Sequence, residues 1–334
     1  MVTYVAPTRT LTPVLDIGPW LDGSDRAGVA REFDRICREI GFFYLVGHGM
    51  PIDEMQGILE QGRRLFALPD EKKRAMLVGH SRRGYEPMAH QSLDADSPPD
   101  LKESFLLGPG QPADHPYVRA GLANYGPNQW PDEIDLPGFR TFCEAYYRHA
   151  HALSSALMDI FATIAGLPEG HFEPVLRDPM ATVRMIHYPP QPGVVVNNQI
   201  GCGAHTDWGA VTILMQDDTG GLEVQAASGE WLYAPPVAGA FIVNIGDMMP
   251  IWTDGAYHSN PHRVRNRSPE RHRYSVAFFM DLDYHAYVER LEAFVPADGA
   301  PPKHAPRTAG EHLDLMYEIS YGAAAKAHAA TSAS

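Results

Sequence analysis

The chain has 334 residues, 44% of them hydrophobic, enough for a full core in one large domain or two ordinary ones. Its 27 Lys and Arg against 41 Asp and Glu leave a formal charge of -14, which argues against nucleic acid and anionic membranes as partners. The three separated cysteines, Cys37, Cys143 and Cys202, argue against a disulfide framework, and no export signal or membrane-length apolar run is visible, so a cytoplasmic setting is expected.

In chain order, residues 13–17 read as a short strand, and residues 26–40 as a helix with Val29, Phe33, Ile36 and Ile40 at helical spacing. The aromatic and β-branched run 41–46 reads as a buried strand that Gly47-His48-Gly49 closes in a turn. Residues 52–77 follow as helix. Residues 78–131, rich in Pro, Gly, Asp and His and without period, read as a long loop suited to lining a pocket. A second helical pattern covers 137–166, through Phe142, Tyr146, Leu153, Leu157, Ile160 and Ile164. From 181 to 281 the chain breaks into short strands between Gly, Pro, Asp and Asn turns, as in an antiparallel sandwich or barrel. The expected plan is an αβ region over 1–135, a helix with a β core and a C-terminal helix over 136–322, integrated in one domain, and a frayed tail at 323–334.

Within Gly203-Ala204-His205-Thr206-Asp207-Trp208-Gly209, the His and Asp stand two apart, so on an extended strand both reach one face and one ion. A third ligand must come from elsewhere. His258, His262, His272 and His285 are available, and His262 is preferred because a strand opens there after the Asn260-Pro261 turn. Two imidazoles and a carboxylate leave octahedral positions open, the arrangement associated with iron(II) and oxygen. Cys202, three residues before His205, reads as a small buried thiol, Asp247 as a turn cap, and Phe241 and Phe279 as core.

Arg273-Tyr274-Ser275 opens an apolar strand in which Arg273 and Ser275 share a face, a pairing that suits a carboxylate. Arg184-Met185-Ile186-His187-Tyr188 ends at Pro189-Pro190, placing Tyr188 with Ile186 and Arg184 where its phenol can join that carboxylate, and His187 on the opposite face.

These residues together resemble the isopenicillin N synthase-like branch of the iron(II) and 2-oxoglutarate-dependent oxygenases. The matching segments run in the family's order: GFFYLVGHG at 41–49, RGYEP at 83–87, DLKESF at 100–105, NQWP at 128–131, HYPP at 187–190, HTDWG at 205–209, PHRV at 261–264 and RYS at 273–275. The resemblance implies a mainly β fold with flanking helices, a double-stranded β-helix or jelly roll of cupin-like form. It implies iron(II) on His205, Asp207 and His262, with 2-oxoglutarate on Arg273, Ser275 and Tyr188 and O2 at the metal. The reaction implied couples decarboxylation to hydroxylation, desaturation or cyclisation of a small molecule, with specialised metabolism the expected setting. Trp208, Arg83, Tyr85, Lys102 and Phe105 lie in its pocket-lining segments and are the expected substrate contacts. The Asn of the related N-Y-Y-P pattern is Ile186 here, so only Tyr188 carries over. Other readings are an iron oxidase without 2-oxoglutarate, a metal-binding or ligand-sensing barrel, and a zinc hydrolase, which has no use for the Arg-Ser-Tyr site.

Overall fold

The structure, a computed structural model, describes residues 6–93, 97–191 and 198–332, with side chains as far as residue 322. Strands β1 (Arg9–Thr10) and β2 (Val14–Asp16) lead to helix α1 (Arg26–Glu39). The helix begins where the Asp25 carboxylate accepts a hydrogen bond from the Gly28 amide at 2.8 Å, and it buries Val29, Phe33 and Ile36. Gly41 then turns the chain at φ +63°, where a β-carbon would lie 2.4 Å from the His258 carbonyl, and β3 (Phe42–Val46) follows.

Helix α2 (Ile52–Phe66) is shorter than the expected 52–77 helix. Pro69, without an amide hydrogen, interrupts it, and a separate short helix takes over at Asp70–Arg74. The stretch expected to be loop contains β4 (Gly84–Glu86) and β5 (Glu103–Leu107), the latter buried along its whole length. Helix α3 (Phe139–Ile164) buries a stripe from Phe139 to Ala162 against α1, α2 and the sheet.

The core strands that follow are β6 (Thr182–Tyr188), β7 (Cys202–His205), β8 (Val211–Gln216), β9 (Leu222–Gln225), β10 (Trp231–Ala234), β11 (Phe241–Ile245), β12 (His262–Val264) and β13 (Arg273–Met280). Among the described residues they form two large sheets. One has the order β2-β3-β11-β8-β13-β6-β5-β4, the other β1-β10-β9-β12-β7, and residues of both line one central cavity. This is the jelly-roll core with helices packed on its outside. Strands β2 to β5, from before residue 135, hydrogen-bond into the same sheet as β6, β8, β11 and β13.

Helix α4 (Ala309–Ser332) closes the chain. The segment expected to fray is helical as far as Ser332, as its alanines favour, and residues 333–334 lie outside the described residues. No described helix is long and apolar enough to cross a membrane.

Candidate metal centre

The two sheets set the site between them by register. His262 opens β12 directly opposite His205 at the end of β7, and the two rings stand 4.2 Å apart. Strand β7 ends at His205, so Asp207 is not held by strand alternation as the spacing implied. The turn after β7 holds it instead: the Asp207 carbonyl accepts the Asp247 amide at 2.8 Å, and the Asn244 side chain donates to its Oδ2 at 2.6 Å. Asp207 Oδ1 lies 3.8 Å from His205 Nε2 and 3.6 Å from His262 Nε2, too far for hydrogen bonds, so three donor atoms face a common point without bonding one another. One ligand atom from each residue lies within 4.8 Å of the others, and among the described residues this is the one such cluster able to hold a metal ion.

The surroundings prepare these groups as ligands. His205 donates Nδ1–H to the Gly203 carbonyl at 2.8 Å, which leaves the Nε2 lone pair for a cation. Burial pushes the His205 imidazole down, and burial together with His205 pushes His262 down to about 4 against the pull of Asp207. Both rings are neutral at physiological pH. Burial would raise the Asp207 carboxyl, but the two imidazoles and hydrogen bonds from Asn244 and Thr212 bring it below the usual range. A buried set of two neutral nitrogens and a carboxylate oxygen fits a divalent iron, and the fit needs no residue beyond those present.

Across the cavity, Arg273 is 0% exposed, yet its partners are all neutral: the Gly220 carbonyl, Ser275 Oγ at 3.2 Å and Gln216 Oε1 at 3.2 Å. Its guanidinium carbon lies 4.7 Å from the centre of the Tyr188 ring, and Tyr188 is its register partner on β6. A buried cation without a carboxylate beside it is costly to maintain unless an anion joins it. Arg273, Ser275 and Tyr188 line the same inner chamber as His205, Asp207 and His262.

The five expected substrate contacts divide. Trp208 lines an outer chamber and meets Tyr317 of α4 edge-on, with ring centres 5.1 Å apart. Lys102 lines the inner chamber, but its ammonium is committed to Asp100 at 2.7 Å and Cys202 Sγ at 3.1 Å. Asp100 also accepts the Gly203 amide at 2.8 Å, so this buried pair pins β7 beside its metal-facing histidine. Arg83, Tyr85 and Phe105 are off the cavity wall. Phe105 packs on Phe139 of α3, and Tyr85, its register partner, bonds Glu103, both on the sheet face turned away from the site. Arg83 is buried behind the wall, donating to Thr182 Oγ1 at 2.6 Å and the Asn124 carbonyl at 2.8 Å.

Other expectations sort similarly. Cys202 is a buried thiol, raised to about 11 by burial against the pull of Lys102, and Phe241 is fully buried. His187 turns to the outer face, where it bonds Glu103 and His272. Asp247 caps no turn with its side chain: it accepts from Ser259 Oγ at 2.9 Å and meets His312 of α4 at 3.1 Å. Phe279 is not core but lines both chambers. Sequence reasoning also missed Asp281, Leu313 and Tyr317 on the outer chamber and Asn244 beside the metal carboxylate. For Phe279 and Asp281 the signal was present, since they continue the alternation 273, 275, 277 along β13.

Comparisons with known proteins agree with this geometry. Residues 12–133 match the family model described as the N-terminal region of the non-haem dioxygenase in morphine synthesis, and residues 179–282 that of the 2OG-Fe(II) oxygenase superfamily. A 2-oxoglutarate-Fe(II) type oxidoreductase of Emericella nidulans is 37% identical, over 96% of this chain and 93% of its own. A 2-oxoglutarate-dependent dioxygenase of Monascus ruber is 42% identical, over 81% and 85%. Among solved structures, a full-length Neurospora crassa protein in complex with alpha-KG and thymine superposes with a TM-score of 0.80 at 25% identity, over 94% of this chain and 98% of that one. Similarity of that extent in sequence, joined to the two-sheet core, places this chain in the 2OG-Fe(II) oxygenase superfamily, as an iron(II)- and 2-oxoglutarate-dependent dioxygenase that uses O2.

Proposed function

We propose that His205, Asp207 and His262 hold the iron, that Arg273 and Ser275, with the Tyr188 ring behind the guanidinium, hold the distal carboxylate of 2-oxoglutarate, and that the substrate is a small organic molecule admitted through the outer chamber. The observation that carries this is the sharing of one buried chamber by three mutually unbonded donor atoms and a guanidinium that has only neutral partners. Iron(II) bound there supplies oxygen activation coupled to decarboxylation of 2-oxoglutarate to succinate.

The chain's own residues do the rest. Asn244 and Thr212 orient the Asp207 carboxylate, Gly203 fixes the His205 tautomer, and Ser275 and Gln216 hold the Arg273 fork toward the cavity. Phe42, Leu214, Leu222, Val264 and Phe279 make the chamber apolar, which strengthens each polar contact inside. The buried free cysteines fit a reducing cytoplasm, and a pocket of this kind fits the oxidation of specialised metabolites.

The test is succinate release by purified protein given iron(II), 2-oxoglutarate and oxygen, with iron content measured beside it. The proposal expects His205→Ala to lose both bound iron and succinate. Full iron occupancy in that variant would overturn the ligand assignment.

A further inference from the structure

The outer chamber holds one carboxylate that nothing described so far employs. Asp281 follows β13 directly, on the face shared by Arg273, Ser275, Ala277 and Phe279, and it lines the chamber with Thr182, Arg184, Trp208 and Tyr317. Among the described residues no hydrogen bond and no ion pair reaches it. Two of the neighbouring charges are already engaged, and the third stands behind the wall. Arg184 donates to Glu86 at 2.6 Å and to Gln91 and Ser104, and Asp207 belongs to the metal centre; Arg83 donates to the neutral Thr182 and Asn124 and acts on Asp281 without an ion-pair contact. The carboxylate also has a space made for it: a β-carbon on Gly209, in the turn after the metal aspartate, would lie 2.4 Å from Asp281 Oδ1. Burial and the nearby Asp207 push this carboxyl up to about 7, with Arg83 opposing.

With Arg184 held by Glu86 and Arg83 held behind the wall, Asp281 is the carboxylate of the outer wall that, among the described residues, no cation contacts. Beside it stands the Trp208 ring, edge-on to Tyr317, whose own face Arg82 already covers at 3.7 Å, and an aromatic ring attracts a cation over its face. We propose that Asp281 is the specificity residue of the outer chamber and that the substrate carries a cationic nitrogen, a protonated amine or an amidine-type group, bound by Asp281 and packed on Trp208. A half-buried carboxylate on the chamber wall disfavours the neutral isostere, because its hydrogen bond to a charged donor has no replacement. This rests on the metal-centre reading above, which sets where the substrate must sit.

The test uses benzamidine and benzamide, near-identical in shape and differing in charge, titrated by calorimetry into full-length protein loaded with manganese(II) and 2-oxoglutarate. Benzamidine is expected to bind at least about tenfold more tightly, the ratio expected for one charge-assisted hydrogen bond. Asp281→Asn is expected to erase that preference and Asp281→Glu to retain it, while both keep the manganese and 2-oxoglutarate affinities of the parent. Equal binding of the two probes by the parent, or a preference that survives in Asp281→Asn, overturns the proposal. Manganese titration of His205→Ala separates the two readings: retained affinity there sinks the metal assignment and leaves the Asp281 result to stand on its own probes.

Discussion

Strand β6 divides two polar clusters that look alike in composition and differ in kind. Tyr188 faces inward to Arg273 and the metal centre, while His187, one residue earlier, faces outward to a second group of acid, imidazole and cation. In that outer cluster every acceptor on Glu103 is taken, by His187 Nδ1 at 2.7 Å, Lys73 Nζ at 2.8 Å and the Tyr85 hydroxyl, and His187 Nε2 meets His272 at 2.7 Å. The inner cluster is left open: three donor atoms that do not bond one another, a guanidinium with neutral partners and a carboxylate with none. Closed polar groups add rigidity and specify a packing, whereas open ones keep a desolvation cost that a ligand relieves. Acid, histidine and cation together do not identify a site. What identifies it is which of their atoms remain unsatisfied.

That distinction breaks if variants of the open cluster harm folding more than chemistry. The largest expected effect is from His262→Ala: iron is lost and succinate release falls on the order of a thousandfold, given the several kcal/mol a metal supplies. The midpoint of thermal unfolding of the metal-free protein should change little, because the His262 Nδ1 already has no partner in the buried site. Metal analysis and calorimetry on one preparation decide this, and an unfolded variant would count against the contrast. Arg273→Ala comes next, with KM for 2-oxoglutarate raised on the order of 100-fold, the scale of removing one partner of a buried charge pair. Arg273→Lys should recover only part, since an ammonium lacks the planar fork that Ser275 and Gln216 hold. An unchanged KM in Arg273→Ala would remove the cosubstrate role.

Asn244→Ala sharpens the contrast within the open cluster, since Asn244 holds Asp207 Oδ2 at 2.6 Å and is not one of the three ligands. Iron affinity is expected to fall about 10- to 100-fold, as when the partner of a metal ligand is lost. A competition titration with a chelator measures it. Unaltered affinity would mean that the turn after β7 alone orients the carboxylate.

The sequence made the open cluster legible and the closed one nearly invisible. His205, Asp207 and Arg273 stand in short segments with local periodicity, so their approach to one cavity could be argued from spacing, although Asp207 is held by a turn and by Asn244 rather than by strand pleat. Stopping the period-2 reading of β13 at Ser275 hid Phe279 and Asp281, which the same rule reaches. Strand β5 was hidden for a different reason. Glu103 and Ser104 are polar but buried, and Glu103 is satisfied by His187, 84 residues later, so local composition reads as loop. Tyr85 and Phe105 carried a pocket role by resemblance, yet their register places them on the outer face. Leu313 and Tyr317 reach the chamber because α4 folds back across it, a packing event that no local pattern encodes.

The closed cluster gives the smallest expected effect on catalysis and the most direct check of the contrast. Glu103→Gln should leave kcat within about twofold, because none of its partners touches the cavity, while lowering the unfolding midpoint by about 5 °C through the buried Lys73 that loses its counter-charge. Burial raises the Glu103 carboxyl, but hydrogen bonds from His187, Lys73 and Tyr85 outweigh it and bring the group from 4.5 to about 2. A carboxyl held lower in the folded chain than in the unfolded one stabilises fully above the unfolded value and loses that contribution as pH falls through the folded one. The difference in unfolding midpoint between parent and Glu103→Gln should therefore be constant above about pH 5, narrow below 4.5 and be nearly gone close to 2. A difference that stays constant across that range would show that Glu103 acts through packing alone, and a loss of succinate release with stability intact would move this cluster from scaffold to site.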